Sequence, residues 1–286
     1  MKSAAQSSFF STNKTLNICG RLVDLSIPRI MGILNVTPDS FYDGGRYQSE
    51  DDILKQTEKM LTEGATFIDV GAYSSRPGAK DVSLDDEKKS ALRAVKAISK
   101  WFPDAIISVD TFRSEVARAC ISEGATLVND VSGGELDPLM FSAIAELKVP
   151  YIIMHMRGTP QTMASLTQYD HLMKEIVDHF HAKIASLHAM DVSDIIVDPG
   201  FGFSKTVPQN FELLRHFDYL KILGKPLLAG LSRKSMVWRT LEISPEEALP
   251  GTTALHAAAL LKGATILRVH DVKEAIQTVK LISYLM

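Results

Sequence analysis

The sequence has few cysteines, no long apolar run and no excess of positive charge. Its two cysteines, Cys19 and Cys120, form no CxxC pair, so neither a disulfide framework nor a thiolate zinc site is supported, and a reducing compartment is expected. The first residues are too polar for a signal peptide, and no apolar stretch reaches the roughly 18 residues of a membrane span. We therefore expect a soluble, cytoplasmic protein that does not bind a membrane.

The charge balance argues against a nucleic-acid partner. The chain has 31 Lys and Arg residues against 34 Asp and Glu residues, a net charge of −3, so it lacks the positive field that binds a phosphate backbone. With 45% hydrophobic residues in a chain of 286, the composition is that of a globular protein with a sizeable core. Length alone allows one large α/β domain as well as two small ones.

Short β-branched runs recur along the chain, and stretches with helical spacing lie between them. There are eight such runs, at residues 29–36, 66–72, 105–111, 126–133, 150–156, 194–200, 226–232 and 265–271. Helical spacing is seen at residues 50–63, 83–101, 113–123, 167–190, 245–262 and 272–285. Alternating β and α units predict a parallel sheet with helices outside, and eight units favour an α/β fold of the (β/α)8 TIM barrel type.

A doubly wound open sheet is the alternative fold. It is less favoured because no GxGxxG motif follows the first run and no GxxxxGK[ST] motif occurs in the chain. Residues 16–27 resemble a short hairpin that could close the bottom of the barrel, and residues 1–15 are predicted to be a flexible tail. The sequence thus predicts one barrel domain over residues 16–286.

Polar residues stand at the carboxyl ends of most predicted strands, where a buried parallel strand should be apolar. They are Asn35, Asp110, Asn129, Asp198, Ser232, Arg268 and His270. In TIM-barrel enzymes this rim carries the active site, so these seven residues could meet in one pocket. The alternative for each residue is that it only caps the following helix.

Several cations fall in the loops of the same rim. Arg268 and His270 lie two residues apart on one face of the last strand, and Ser232 to Ser235 follow the seventh strand, where this fold often binds phosphate. An anionic substrate group is the natural counterpart. The first loop, residues 35–45, is either a mobile lid or a plain loop, and the second, residues 73–79, adds the cation Arg76.

These residues resemble the dihydropteroate synthase family of the folate pathway, the target of sulfonamides. The matching stretches occur in order: MGILNVTPDSFYDGG, SSRPGA, SVDT, VNDVSGG, MHMRGTP, DPGFGFSK, GLSRKS and RVHDV. They run from about residue 29 to residue 271. Two positions depart from the family pattern, since Ser75 stands where the family usually has Thr and Ser204 where it usually has Gly. Both put loop geometry in doubt more than chemistry.

The resemblance implies a reaction in which 6-hydroxymethyl-7,8-dihydropterin diphosphate is joined to 4-aminobenzoate, giving 7,8-dihydropteroate and pyrophosphate. It implies catalytic roles for Asp110, Asp198, Lys234, Arg268 and His270. The pterin would be held by Asp110, Asn129, Met154, Asp198 and Lys234, and the diphosphate by Asn35, Ser75, Arg76, Arg268 and His270. The aminobenzoate would contact Ser75, Arg76, Pro77, Phe203, Ser232 and Lys234. The resemblance also implies Mg²⁺ at Asn35 and a homodimer.

Two other functions are compatible with a pterin-binding barrel. One is transfer of a methyl group from a folate to a corrinoid, which would leave the basic set Arg76, Arg268 and His270 without a diphosphate to bind. The other is a non-catalytic pterin-binding protein, which would tolerate loss of Asn35 and the first loop. A pyrophosphate-release assay that requires both substrates separates the synthase from both alternatives.

Overall fold

Eight parallel strands surrounded by helices form a barrel in a computed structural model of the chain, which describes residues 14–37, 49–74 and 81–285. The barrel strands are β3 (Arg29–Asn35), β4 (Phe67–Gly71), β5 (Ile106–Asp110), β6 (Leu127–Asp130), β7 (Tyr151–Met154), β8 (Ile195–Asp198), β9 (Leu228–Ala229) and β10 (Ile266–Val269). They are preceded by β1 (Thr15–Ile18) and β2 (Arg21–Asp24). Every predicted run contains one barrel strand.

The sheet closes on itself. Its strands run in the order β8-β7-β6-β5-β4-β3-β10-β9, and a parallel bridge between Val197 and Leu227 joins the two ends. This closure confirms the TIM barrel and shows that the open, doubly wound alternative is wrong. Closure also brings the carboxyl ends of all eight strands to one rim.

The helices follow the strands as the (β/α)8 pattern predicts. They are α1 (Glu50–Glu63), α2 (Leu84–Trp101), α3 (Ser114–Ser122), α4 (Met140–Leu147), α5 (Leu172–His188), α6 (Val207–Arg215), α7 (Ser235–Leu241), α8 (Leu249–Leu261) and α9 (Val272–Ile282). The short helices α4, α6 and α7 lie where no helical stretch was singled out in the sequence. Their seven to nine residues give too few turns for a clear apolar period.

The hairpin β1–β2 closes the bottom of the barrel, as predicted. Its alternate residues Leu16, Ile18, Val23 and Leu25 are buried in one apolar cluster with an inward-facing residue from each barrel strand. That layer consists of Met31, Phe67, Ile106, Leu127, Ile152, Ile196, Leu228 and Ile266. Burial of such side chains stabilises the fold by about 1.5–3 kcal/mol each, so this end of the barrel is a core and not an opening.

The structure bears on two expectations about the chain's environment, namely the absence of a membrane span and of a disulfide. No helix in the described ranges is long and apolar enough to cross a membrane, and Cys19 and Cys120 are free. A cytoplasmic location stays a prediction. The predicted tail, residues 1–15, falls almost entirely outside the described residues, although Thr15 already belongs to β1.

Candidate active site

The inward-facing positions become mostly polar above the bottom layer of the barrel. Because side chains alternate along a strand, the next inward positions after the apolar layer hold Asp69, Ser108, Asn129, Met154, Asp198 and Arg268, and the positions above them hold Asn35, Asp110, Ser232 and His270. The structure therefore places all seven predicted strand-end residues on the inner face at one rim. Where a described helix has a side-chain cap, it uses Ser49, Ser83 or Thr206, so helix capping does not explain the strand-end residues.

Arg268 is held by two carboxylates. Its Nε donates to Asp69 Oδ2 at 2.6 Å and its Nη2 donates to Asp110 Oδ2 at 2.6 Å. Burial alone would lower the pKa of Arg268, but the charges of Asp69 and Asp110 outweigh burial and raise it, so the guanidinium stays charged. Asp69 was missed by the sequence reasoning, although a carboxylate in the middle of the apolar strand FIDVG was a signal.

Asp110 combines burial with several like charges. Burial raises the pKa of its carboxyl to about 7; the Arg268 guanidinium opposes this rise, while Asp69 and more distant carboxylates add to it. This carboxyl therefore titrates near neutral pH. Its protonation state decides whether it is an acceptor only or also a donor toward a ligand.

We expect the affinity for a pterin without a diphosphate to depend on the titration of Asp110. Since the raised pKa of Asp110 lies at about 7, the ionised acceptor dominates above that pH and is lost below it. Affinity should therefore fall by up to about tenfold per pH unit below 7 and level off above it. Calorimetry across this range measures the effect. In Asp110→Asn the low-pH fall should disappear, and a fall of unchanged size in that variant would assign it to another group.

Asp198 lies at the end of β8 and is 7% exposed. Its Oδ1 accepts the backbone N–H of Gly200 at 2.8 Å, and burial raises the pKa of its carboxyl. Gly230 leaves the space beside Oδ2 open, since a Cβ at that glycine would stand 3.9 Å from this oxygen. The carboxylate can thus present an edge to a ligand.

Lys234 and Phe203 meet at the side of the site predicted to take aminobenzoate. Lys234 Nζ lies 4.2 Å from the centre of the Phe203 ring, a cation–π contact. Ser232 Oγ lies 3.0 Å from His270 Nδ1, which joins the ends of the seventh and eighth barrel strands. Met154, predicted to contact the pterin, is 4% exposed and lies in an apolar cluster that Phe203 packs against. These five residues lie at the ends of, or just after, the neighbouring strands β7, β8, β9 and β10, on one side of the rim.

The loop after β8 is fixed by a buried lysine that sequence reasoning did not single out. Lys205 Nζ lies 3.0 Å from both Phe203 O and His155 Nδ1 and donates to Gly200 O at 3.1 Å. Burial lowers the pKa of Lys205 to about 7 and also lowers that of His155. The backbone around Phe203 is therefore held in place from beneath.

Ser204, a departure from the family pattern, sits in the same loop with φ +50°, a left-handed conformation that favours glycine. Its hydroxyl accepts the Arg157 N–H at 2.9 Å and donates to Arg157 O at 3.0 Å. These two bonds link the loop after β8 to the loop after β7 and offset the backbone strain. Loop geometry, which this substitution put in doubt, has a local explanation.

Asn35 lies at the end of β3, half-buried and close to Asp110. A Cβ on Gly71 would stand 3.5 Å from Asn35 Oδ1 and 3.7 Å from Asp110 Oδ2, so both side chains line the space above this glycine. Among the described residues, no group of three or more His, Cys, Asp or Glu side chains could hold a metal. Asn35 offers a single neutral oxygen, which suits Mg²⁺ only where substrate phosphates and water complete its shell.

The remaining predicted contacts cannot be placed. Ser75, Arg76 and Pro77, and most of the first loop from Pro38 to Gly45, lie outside the described residues. Their roles stay predictions from the sequence.

Comparisons with known proteins identify the family of the chain. A family model described as pterin binding enzyme matches residues 31–270. The chain is 41% identical over 265 residues to the dihydropteroate synthase of Escherichia coli (strain K12), covering 92% of this chain and 93% of that protein. The Yersinia pestis dihydropteroate synthase, solved with a sulfonamide drug complex, has a TM-score of 0.91 at 39% identity and covers 95% of this chain and 98% of its own. The Xanthomonas albilineans dihydropteroate synthase, solved with 4-aminobenzoic acid, has a TM-score of 0.88 at 35% identity, covering 96% and 98%.

Proposed function

The chain belongs to the pterin-binding enzymes, in the family of the dihydropteroate synthases, and from this we propose that it joins dihydropterin diphosphate to aminobenzoate in folate biosynthesis. It is accordingly a transferase. The observation that carries the proposal is the inner rim itself, where the acceptors Asp110, Asn129 and Asp198 lie on the same face as the cations Arg268 and Lys234. The acceptors suit the N–H groups of a pterin, and the cations suit a carbonyl and a diphosphate.

Departure of pyrophosphate is the difficult step, because a multiply charged group must leave the pterin methylene. Cations near the leaving oxygens stabilise the growing negative charge, a role we assign to Arg268 and His270 together with Arg76. The carbon left behind is positive, and the carboxylates of Asp110 and Asp198 stabilise it. The amine of aminobenzoate is already nucleophilic at neutral pH, so it attacks this carbon directly and then loses a proton to solvent.

Mg²⁺ is part of the proposal through Asn35. The amide oxygen of Asn35 would hold the ion together with diphosphate oxygens, as expected for a metal that keeps water and phosphate ligands. When bound, Mg²⁺ supplies positive charge to the leaving group. The rest of the chemistry depends on the side chains named above.

The test of the proposed function is release of pyrophosphate from purified protein given both substrates. We expect release only when dihydropterin diphosphate and aminobenzoate are present together, with dihydropteroate formed in equal amount. A folate-to-corrinoid methyltransferase or a non-catalytic pterin-binding protein would release none. Release without aminobenzoate would indicate a diphosphate hydrolase instead.

We expect aminobenzoate to bind more tightly when pyrophosphate and Mg²⁺ are present. Its predicted contacts divide between Phe203, Ser232 and Lys234 and the second loop, where Arg76 is also predicted to bind the diphosphate. Aminobenzoate has few atoms, so it gains little binding energy when only part of its site is in place. We therefore expect its affinity to increase by about tenfold or more when pyrophosphate and Mg²⁺ are bound. Titrations with and without pyrophosphate measure it. Arg76→Ala should abolish the increase, and equal wild-type affinities with and without pyrophosphate would contradict this prediction.

A homodimer and a cytoplasmic location complete the proposal. Exposed apolar side chains on the C-terminal helices and the segments that follow them support association; Leu241, Leu261, Leu281, Tyr284 and Leu285 are each at least half exposed. Light scattering over a dilution series tests the dimer, and a constant monomer mass would contradict it.

A further inference from the structure

Asp69 is the buried centre of the polar rim. It lies in the middle of β4, its side chain is fully buried, and its Oδ2 accepts from both Arg268 Nε at 2.6 Å and Asn129 Nδ2 at 2.9 Å. Asp69, Asn129 and Arg268 lie on β4, β6 and β10, which are not neighbours in the barrel. Asp69 thus joins distant parts of the chain. Neither the pterin contacts nor the diphosphate contacts proposed above include it.

The chemistry of a carboxylate fixes the direction of the neighbouring amide. An ionised carboxylate only accepts hydrogen bonds, so the Asn129 atom that faces Asp69 must be its NH₂ group. The other end of the amide, the acceptor Oδ1, is then left for the pocket. Without Asp69 the amide could turn by about 180° and offer a donor instead.

The same carboxylate orients Arg268. The guanidinium is planar, and its two bonds, one to Asp69 and one to Asp110, fix that plane at both ends. The nitrogen Nη1, which has neither of these two bonds, is thereby held in a set direction relative to the rim. Asp69 thus determines the presentation of two groups at once.

A role in stabilising the fold does not by itself account for the hydrogen bonds of the Asp69 carboxylate. Its Oδ1 is buried without a hydrogen-bond partner among the described residues, and so is the hydroxyl of Ser108, the residue opposite it in the register of β4 and β5. A buried carboxylate that stabilised only the fold would be expected to satisfy both oxygens. The bonds that Asp69 does make go to two residues of the pocket.

We propose that Asp69 is a positioning residue that turns the Asn129 acceptor toward the pocket and so selects ligands whose buried edge carries an amino donor. This inference rests on the proposed function and deepens it. The class it selects is the amino-substituted, guanidine-like heterocycle, because Asn129 Oδ1 then joins the carboxylates of Asp110 and Asp198 in a wall of acceptors. A heterocycle with a carbonyl oxygen in place of the amino group would face this wall with two acceptors opposed.

The test compares hydroxymethylpterin with its oxo counterpart, a lumazine in which oxygen replaces the exocyclic amino group. Calorimetry gives the affinity ratio of the two ligands in the wild type, Asp69→Ala and Asn129→Ala. We expect the wild type to prefer the pterin by about 100-fold, and both variants to lose about tenfold of that preference. If Asp69→Ala weakens both ligands equally and keeps the wild-type ratio, Asp69 is only structural and the inference is wrong.

A second measurement does not depend on a variant of Asp69 that folds. In wild-type protein with ¹⁵N-labelled asparagine, assigned by the signal missing in Asn129→Ala, the Asn129 NH₂ protons should exchange slowly before any pterin is added and should be little changed by it. Rapid exchange that becomes slow only with pterin would show the NH₂ facing the ligand, which would overturn the inference. Dihydropteroate formation by the same wild-type sample tests the proposed function separately.

Discussion

Arg268→Ala is expected to destabilise the protein by about 3–5 kcal/mol, the range for removing one partner of a buried ion pair. The variant leaves the fully buried Asp69 and the mostly buried Asp110 without the guanidinium that both carboxylates bind. The Asp69 carboxylate then stays fully buried without its guanidinium partner, so the folded state carries the cost of that unpaired group. Urea denaturation at pH 7 measures the loss.

The control for this prediction is Arg118→Ala. Arg118 also binds a carboxylate, Glu146, at 2.7 Å, but both side chains are substantially exposed. Its removal should cost no more than about 1 kcal/mol. Equal stability of the two variants at pH 7 would mean that the Asp69 and Asp110 pairs are not formed in solution.

Arg268 therefore has a structural role and a predicted role in binding diphosphate, and its substitution by alanine removes both. The sequence predicts that it binds diphosphate, and the structure shows that two of its nitrogens already bind carboxylates. Arg268→Lys separates the roles, since it keeps the charge but loses the planar fork. We expect this variant to be more stable than Arg268→Ala while turnover stays low.

Asp198→Asn is expected to weaken pterin binding by about 2–4 kcal/mol, which is roughly 30-fold to 1000-fold in Kd. The amide replaces one of two acceptor oxygens by a donor, and this donor would face the N–H groups of the pterin. Calorimetry with a pterin analogue measures the loss. Affinity close to that of the wild type would remove Asp198 from the pocket.

Stability gives this prediction a second readout. Because burial raises the pKa of Asp198, the charged form is disfavoured in the folded protein, and a neutral amide should not reduce stability at neutral pH. Asp198→Asn should thus lose affinity while keeping its unfolding midpoint. Asp137→Asn is the matched control, since Asp137 accepts the N–H groups of Ser114 and Leu139 outside the barrel, and its change should leave pterin affinity intact.

The sequence predicted the site best where position along a strand carries the information. Asp198 and Asn129 were found because a polar residue at the end of an apolar run breaks the pattern of a buried strand. Asp69 was missed because it lies inside its run, with apolar or glycine neighbours on both sides, and not at the strand end. A polar residue at any inward position of a barrel strand is the better criterion.

The sequence does not predict which residues pair with each other across the barrel. Asp69 and Arg268 are 199 positions apart, and nothing local in either segment identifies the other. The sequence therefore predicts only a cation at the rim, whereas Arg268 is bound to two carboxylates in the structure. Lys205 was missed for the same reason, since one of its partners is His155, 50 positions away on another loop. Periodicity fixes which face a residue occupies, and only closure of the barrel decides which residues meet.

The apolar layer beneath the rim has a consequence for the traffic of substrates and products. With the hairpin residues Leu16, Ile18, Val23 and Leu25 packed under that layer, molecules can arrive and depart only through the rim. Asp198 and Asn129 lie one layer deeper in the barrel than Ser232 and His270. A ring system bound at the deeper layer must therefore arrive before, and depart after, any ligand bound at the outer layer. In the proposed reaction the leaving pyrophosphate would have the free path outward, and the finished dihydropteroate would have to withdraw its pterin end past the residues that we propose hold the aminobenzoate.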